Sequence, residues 1–173
     1  MKKRLGITAL LLSVPVILLS QTTEKAEQVL REQFPGSEVQ KKTLYLTKEQ
    51  QAALARDLGE DVSRVHTFYT ARFGRTLAGY GIFDTHIVRT KQETLFVVMD
   101  ASGIIKHVEV AAFLEPRDYL APGRWLALFR GKKREDSMEL PGITGATLTV
   151  KAVKNAVRRT LAIARANHAG FAQ

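Results

Sequence analysis

The clearest hydrophobic pattern in the chain lies near its C-terminus. Apolar residues recur there every three or four positions, at Val150, Val153, Val157, Leu161 and Ala164. Basic residues lie mainly off this stripe in the same stretch. Because one face of a helix repeats at this spacing, the pattern predicts a helix that begins close to Thr147 and packs its apolar face against the rest of the fold.

Residues in the middle of the chain predict strands joined by short turns. The stretch 66–73 is rich in β-branched and aromatic residues, and Gly74-Arg75 supplies a turn before a second strand at 77–83. The segment 100–103 is a turn signature between two apolar runs, so residues 94–113 are predicted to form a β-hairpin. Strands linked by short turns favour an antiparallel sheet.

The region before these strands, residues 22–61, predicts a helix, a strand and a second helix. The first helix spans Thr23–Phe34, and the strand follows at Val39–Leu46. Thr47 and Gln50 form a capping box at the start of the second helix. The region carries no recognisable chemistry. The predicted fold class is therefore α+β, with an antiparallel β-sheet packed against helices.

The first residues of the chain have a different charge pattern from the rest. Three basic residues at positions 2–4 precede an uncharged, mostly apolar run at 5–19. This is the layout of a secretory signal, and the run is short for a membrane span. Because no clean Ala-x-Ala cleavage site follows, residues 1–21 are predicted to be a signal peptide or an N-terminal membrane anchor that uses residues 5–20. We therefore expect the protein in the periplasm or at the extracytoplasmic face of the inner membrane.

The composition of the chain limits its chemistry. Its 173 residues are 45% hydrophobic and 25% charged, as in ordinary globular proteins. The absence of cysteine excludes disulfides, thiolate-bound iron–sulfur clusters, c-type haem attachment and a cysteine nucleophile. The four histidines lack metal-ligand spacing, so no metal site is predicted. The formal net charge of +9 suits an acidic partner or a solvated basic face, and the expected export argues against nucleic acid.

The segment that enters the predicted C-terminal helix has the most distinctive chemistry. It reads Thr144-Gly145-Ala146-Thr147-Leu148. The small residues Gly145 and Ala146 let a bulky group approach the backbone, and the amide groups and dipole at a helix N-terminus favour a phosphate. A threonine hydroxyl there can be esterified to that phosphate. The simpler alternative is that Thr144 caps the helix, Gly145 forms a turn and nothing binds.

The motif Thr144-Gly145-Ala146-Thr147 resembles the Ser/Thr-Gly-Ala-Thr motif of the FMN-binding domain family. That family includes the C subunit of the sodium-pumping NADH:quinone oxidoreductase and the G subunit of the related Rnf complex. The likeness covers roughly residues 65–161, through several segments in the same order. It implies that residues 62–173 form an FMN-binding domain, and that a flavin transferase using FAD attaches FMN through its phosphate to Thr147.

With FMN as the cofactor, ten residues are predicted to contact it. Five lie in the motif or beside it: Thr144, Gly145, Ala146, Thr147 and Leu148. Five more precede it: His86, Arg89, Thr90, Lys91 and Glu115. The cations among the second group are expected near the flavin phosphate or the N1–C2=O edge of the ring, with an ordinary charged surface strand as the alternative. Glu115 is expected to orient the flavin or to pair with a nearby arginine.

The resemblance implies an exported electron carrier, in which FMN held covalently on Thr147 shuttles electrons between redox proteins in or at the membrane. No substrate-specific acid or base is evident, so we expect a carrier rather than an enzyme with its own substrate. One position departs from the family: Pro141 replaces an aspartate that usually lies six residues before the modified threonine. This departure favours the alternative of an exported, non-redox binding or adaptor module that keeps the fold without the cofactor.

Overall fold

The computed structural model describes residues 14–133 and 139–167. The α-helices in these ranges are α1 (Val14–Gln33), α2 (Lys48–Leu58), α3 (Gly123–Leu126) and α4 (Thr147–Ala166). The strands are β1 (Glu38–Tyr45), β2 (Val65–Phe73), β3 (Thr76–Ile87), β4 (Gln92–Asp100) and β5 (Ile105–Phe113). Two short 3-10 turns, Arg117–Tyr119 and Ala127–Phe129, lie on either side of α3.

The strands form one antiparallel sheet in the order β1-β2-β3-β4-β5, so each pairs with its neighbours in sequence. This arrangement confirms the predicted α+β fold, and β4 with β5 confirms the hairpin predicted at residues 94–113. β3 is longer than predicted, because it continues past Phe83 to Ile87. The polar residues Asp84 and His86 interrupt the apolar pattern there, but β4 still pairs with that stretch and satisfies its backbone.

α2 begins and ends at the signals that the sequence contains. The Thr47 hydroxyl accepts a hydrogen bond from the Gln50 amide N–H at 3.1 Å, and the Gln50 side chain accepts one from the Thr47 N–H at 2.9 Å. Gly59 ends the helix in a left-handed conformation, with φ of 72°. The predicted capping box is confirmed.

α1 packs on one face of the sheet. Leu30 and Phe34 are buried there beside Phe96 of β4. The ring of Phe34 lies directly on the backbone of β3, where a Cβ atom at Gly79 would be 2.2 Å from Phe34 Cζ. The absence of a side chain at Gly79 therefore permits this close approach.

α1 begins at Val14 rather than at Thr23, so the predicted start of this helix was wrong. The helix runs through the predicted leader boundary at Gln21, while leader residues 1–13 lie outside the described residues. Within the described ranges, no helix is both long and apolar enough to cross a membrane.

α4 covers the opposite face of the sheet. Its predicted apolar stripe is buried against Ile82 and Val97, which confirms both the helix and the orientation of its apolar face. α4 starts beside the loop that joins β3 to β4 and beside the 3-10 turn that follows β5. Three segments that are distant in sequence therefore meet where α4 begins.

Candidate functional site

The turn that precedes α4 leaves the Thr147 hydroxyl accessible. Thr147 is the first residue of the helix and is exposed, whereas the preceding Ala146 is buried. The Ala146 N–H donates to the Ile143 carbonyl at 3.1 Å, and Gly145 in the turn has φ of 81°. Because residues with a side chain rarely adopt this left-handed backbone conformation, glycine suits that position.

The first amide groups of α4 have no side-chain cap. The N-cap residue is Ala146, and the described structure has no side-chain capping hydrogen bond at this position. The interpretation of Thr144 as the helix cap is therefore wrong, since the helix begins three residues later. Uncapped amide groups together with the helix dipole favour an anionic group at this end of α4.

A cavity of about 280 Å³ adjoins Thr147. Its walls come from the start of α4 and from two distant segments, through the residues Arg89, Tyr119, Gly145, Ala146, Thr147, Leu148 and Thr149. Arg89 is the only charged residue among these described lining residues. An anion in the cavity would therefore meet a cation from the β3–β4 loop and the positive end of α4.

Tyr119 connects two walls of the cavity. The Arg89 guanidinium lies 4.3 Å from the centre of the Tyr119 ring, within the range of a cation–π interaction. On the other side, the Thr149 hydroxyl donates to the Tyr119 carbonyl at 2.7 Å. The 3-10 turn after β5 thus fixes the position of Arg89 relative to the first turn of α4.

Glu115 orders the loop that carries Arg89. One of its carboxylate oxygens accepts hydrogen bonds from the Thr90 N–H at 2.6 Å and the Lys91 N–H at 2.8 Å, and it lies 3.2 Å from the Thr90 hydroxyl. These hydrogen bonds, led by that from the Thr90 amide, lower the pKa of Glu115 below its ordinary value. Glu115 and the two loop amides therefore interact with one another instead of lining the cavity.

His86 lies outside the cavity, in a buried group of charged side chains. Its Nδ1 is 3.0 Å from Asp84 and its Nε2 is 3.0 Å from Glu93. Arg159 of α4 donates to both carboxylate oxygens of Asp84 at 2.7 Å. Burial opposes a charge on His86, but the hydrogen bonds to Asp84 and Glu93 outweigh it and raise the pKa of His86 to about 8.

The backbone before the motif is held by two long side chains. Trp125 Nε1 donates to the Pro141 carbonyl at 2.8 Å, and Lys154 Nζ donates to the Leu140 carbonyl at 2.7 Å. Trp125 is buried and its ring packs edge-on against Phe129, so it is a core residue, as its type favours. These side-chain hydrogen bonds thus fix the position of the segment in which Pro141 replaces the aspartate typical of the family.

The structure brings five of the ten predicted site residues to one cavity: Arg89, Gly145, Ala146, Thr147 and Leu148. The other five lie outside its lining: Thr144, His86, Thr90, Lys91 and Glu115. Contact between any of the ten and a flavin stays a prediction. Sequence reasoning missed Tyr119 and Thr149, and for Tyr119 no motif in its neighbourhood gives a signal.

The residues around the cavity fit the phosphate of FMN. They supply an exposed hydroxyl, uncapped helix amides and a guanidinium, which is a donor set for a phosphate ester. Residues 90–162 match the family model of the FMN-binding domain, a stretch that extends from β4 to most of α4 and includes the motif. No curated protein sequence matches the chain. Residues 90–162 are therefore similar to an FMN-binding domain, and this match indicates FMN as the cofactor.

Proposed function

We propose that the protein is an exported electron carrier whose FMN is attached through a phosphoester to Thr147. The observation that carries the proposal is the position of the Thr147 hydroxyl, which is exposed at the uncapped start of α4 and shares a cavity with Arg89. The carrier exchanges electrons with redox proteins in or at the membrane. When bound, FMN supplies one- and two-electron redox chemistry.

The residues of the cavity have distinct tasks in this proposal. Thr147 Oγ replaces AMP on the phosphorus of the FMN half of FAD in the reaction of a separate flavin transferase, and its proton is released as AMP leaves. The phosphodiester keeps one negative charge, which Arg89 and the helix amides stabilise. Gly145 and Ala146 add little bulk beside the attachment atom. Tyr119 holds the Arg89 guanidinium at the edge of the site.

Electron exchange needs no acid or base from the protein in this proposal, because the cofactor carries the electrons.

The packing of α1 is compatible both with cleavage of the leader and with its retention as a membrane anchor. The first described side chain with a contact to the sheet is Thr23, whose hydroxyl lies 3.3 Å from Tyr69 Oη, and the buried residues of α1 follow from Ala26 onward. Cleavage near Gln21 would therefore leave these contacts intact. Retention of residues 5–20 would anchor the domain at the extracytoplasmic face of the inner membrane.

Covalent attachment can be tested by co-expressing the full chain with a flavin transferase. We expect yellow fluorescence that survives denaturing electrophoresis, and a mass increase of FMN minus water on the peptide that contains Thr147. Thr147→Ala should abolish both signals. In Thr149→Ala the FMN should stay on Thr147, because the Thr149 hydroxyl is buried and donates to the Tyr119 carbonyl. Fluorescence that persists in Thr147→Ala would contradict the assignment.

The adaptor alternative depends on Pro141. The hydrogen bonds from Trp125 and Lys154 order this segment without the missing aspartate, which supports attachment in this chain. An absorption spectrum of the protein purified from its native host distinguishes the two functions. Flavin absorption bands fit the carrier, whereas a colourless preparation fits only the adaptor.

A further inference from the structure

His86 and Glu93 form a pair at the loop end of the β3–β4 hairpin, close to the loop that carries Arg89. We call this pair the hairpin neck. His86 pairs with Glu93 across the two strands, and Ile87 with Gln92 forms the last pair before the loop. The loop then closes through a hydrogen bond from the Val88 N–H to the Lys91 carbonyl at 3.1 Å. A change in the His86–Glu93 contact would therefore act on the base of this loop.

The geometry of His86 suits a protonated ring. Each ring nitrogen faces a carboxylate oxygen at 3.0 Å, and ionised carboxylates only accept hydrogen bonds. A neutral imidazole has one N–H, so it can satisfy one of these carboxylates and turns a lone pair toward the other. The imidazolium satisfies both.

Glu93 depends on His86 more than Asp84 does. Asp84 also receives two hydrogen bonds from Arg159, which in turn contacts Glu60 from the segment after α2. The Glu93 side chain is 0% exposed, and its second oxygen, Oε1, is among the buried atoms that have no hydrogen-bond partner in the described part of the chain. Loss of the imidazolium proton therefore leaves a buried carboxylate without a cation.

Asp61 and His66 are further titratable groups beside this network, because both line one cavity with His86 and Arg159. His66 lies on β2. Its Nε2 donates to the Ser63 carbonyl at 2.7 Å, and burial lowers its pKa. The charge of Asp84 raises the pKa of His66 and the charge of Arg159 lowers it. No described hydrogen bond joins His66 to Glu93. The cation that faces Glu93 is therefore supplied by His86.

We propose that His86 is a positioning residue for the flavin phosphate: as an imidazolium it holds Asp84 and Glu93 together at the hairpin neck, and so keeps Arg89 stacked on Tyr119 beside Thr147. This inference rests on the proposed attachment of FMN to Thr147. When the proton is lost, Glu93 turns toward water, the neck opens and Arg89 withdraws from the phosphate.

The ³¹P resonance of the flavinylated protein reports directly on this coupling. A phosphodiester does not titrate near neutral pH, so a shift of its signal reflects a change in neighbouring protein groups. We expect the wild-type resonance to move between about pH 6 and about pH 9.5, with a midpoint near the His86 pKa of about 8. Arg89→Gln should remove most of this movement. A wild-type resonance that stays constant over this range overturns the inference.

Two variants separate the role of His86 from that of other histidines. His86→Lys places a cation with an ordinary pKa of about 10.4 between the two carboxylates, so the resonance should stay near its low-pH position throughout. His107→Gln is the matched control, because this partly exposed histidine on β5 contacts Glu109 and lies outside the network. It should titrate like the wild type. A pH-dependent shift in His86→Lys that equals the wild-type shift would also overturn the inference.

A measurement on the wild-type protein without flavin tests the inference even if the variants fail to fold. The ¹⁵N shifts of the His86 ring in the wild-type protein should show both nitrogens protonated at about pH 7. A neutral ring at that pH refutes the role of His86 whatever the variants do. Failure to attach any flavin to folded wild-type protein would instead refute the proposed function, and the inference with it.

Discussion

The guanidinium of Arg89 lies 4.3 Å from the ring centre of Tyr119, in a contact that joins the β3–β4 loop to the turn after β5. Tyr119 in turn accepts a hydrogen bond from Thr149 in the first turn of α4. The described lining of the cavity beside Thr147 therefore comes from three segments, and the one cation in that lining, Arg89, stacks on an aromatic ring. Arg89 thus keeps its N–H groups available to an anion.

Removing the Arg89 charge should slow flavin attachment. Arg89→Gln is expected to lower the initial rate of FMN incorporation by about tenfold, since a hydrogen bond to a charged group contributes about 1.5 kcal/mol or more. The rate is measured by in-gel flavin fluorescence with a fixed amount of transferase. Arg124→Gln, at an exposed position of α3 outside the cavity lining, should leave the rate unchanged. Equal rates for the two variants would exclude a role of Arg89 at the phosphate.

Neutralising Glu115 should loosen the loop. In Glu115→Gln the Thr90 and Lys91 amides lose a charged acceptor, so their hydrogen exchange should become faster while exchange in α2 stays unchanged. Because the pKa of Glu115 is lowered in the folded protein, its contribution is present at neutral pH and is lost as pH falls below the ordinary value of 4.5. Wild-type exchange at these amides should therefore accelerate in acid. Unchanged exchange in the variant would show that other contacts order the loop.

The charge on His86 should stabilise the fold below neutral pH and not in base. Folding raises the pKa of His86 from 6.5 to about 8, so its stabilisation is fully present below pH 6.5 and is lost as pH rises through about 8. This change corresponds to about 2 kcal/mol in the free energy of unfolding. Urea unfolding of the wild type and of His86→Gln at about pH 6 and about pH 9 measures it. The difference between the two proteins should shrink at the higher pH, and a constant difference would contradict the prediction.

The Trp125 side chain should matter for the segment before the motif. Trp125→Phe keeps an aromatic ring in the core but removes the donor to the Pro141 carbonyl, at a cost of about 1 kcal/mol in stability. Because the Pro141 carbonyl then loses this hydrogen bond, flavin incorporation should also slow. Thermal unfolding and in-gel fluorescence measure the two effects. Lys151→Met, at an exposed position of α4, is the control and should change neither.

Local patterns in the sequence were sufficient to predict several elements. The stripe from Val150 to Ala164 predicted α4, and the Thr47–Gln50 pair predicted the start of α2. Such patterns depend on residues within a few positions of each other, where helix geometry alone decides which side chains meet. The motif that ends at Thr147 likewise indicated the FMN-binding domain that the family model matches at residues 90–162.

The sequence by itself therefore determined the α+β class, the helix that starts at Thr147 and the similarity to an FMN-binding domain. Only the tertiary structure decided which predicted site residues share the cavity: Arg89 reaches it by stacking on Tyr119, whereas His86 is held by Asp84 and Glu93. Nothing in the local sequence separates these two cations, since both lie near the same loop. Their environments differ because the side chain of His86 points from β3 into the buried face beneath α4, and partners from other elements meet each residue only after the sheet has formed.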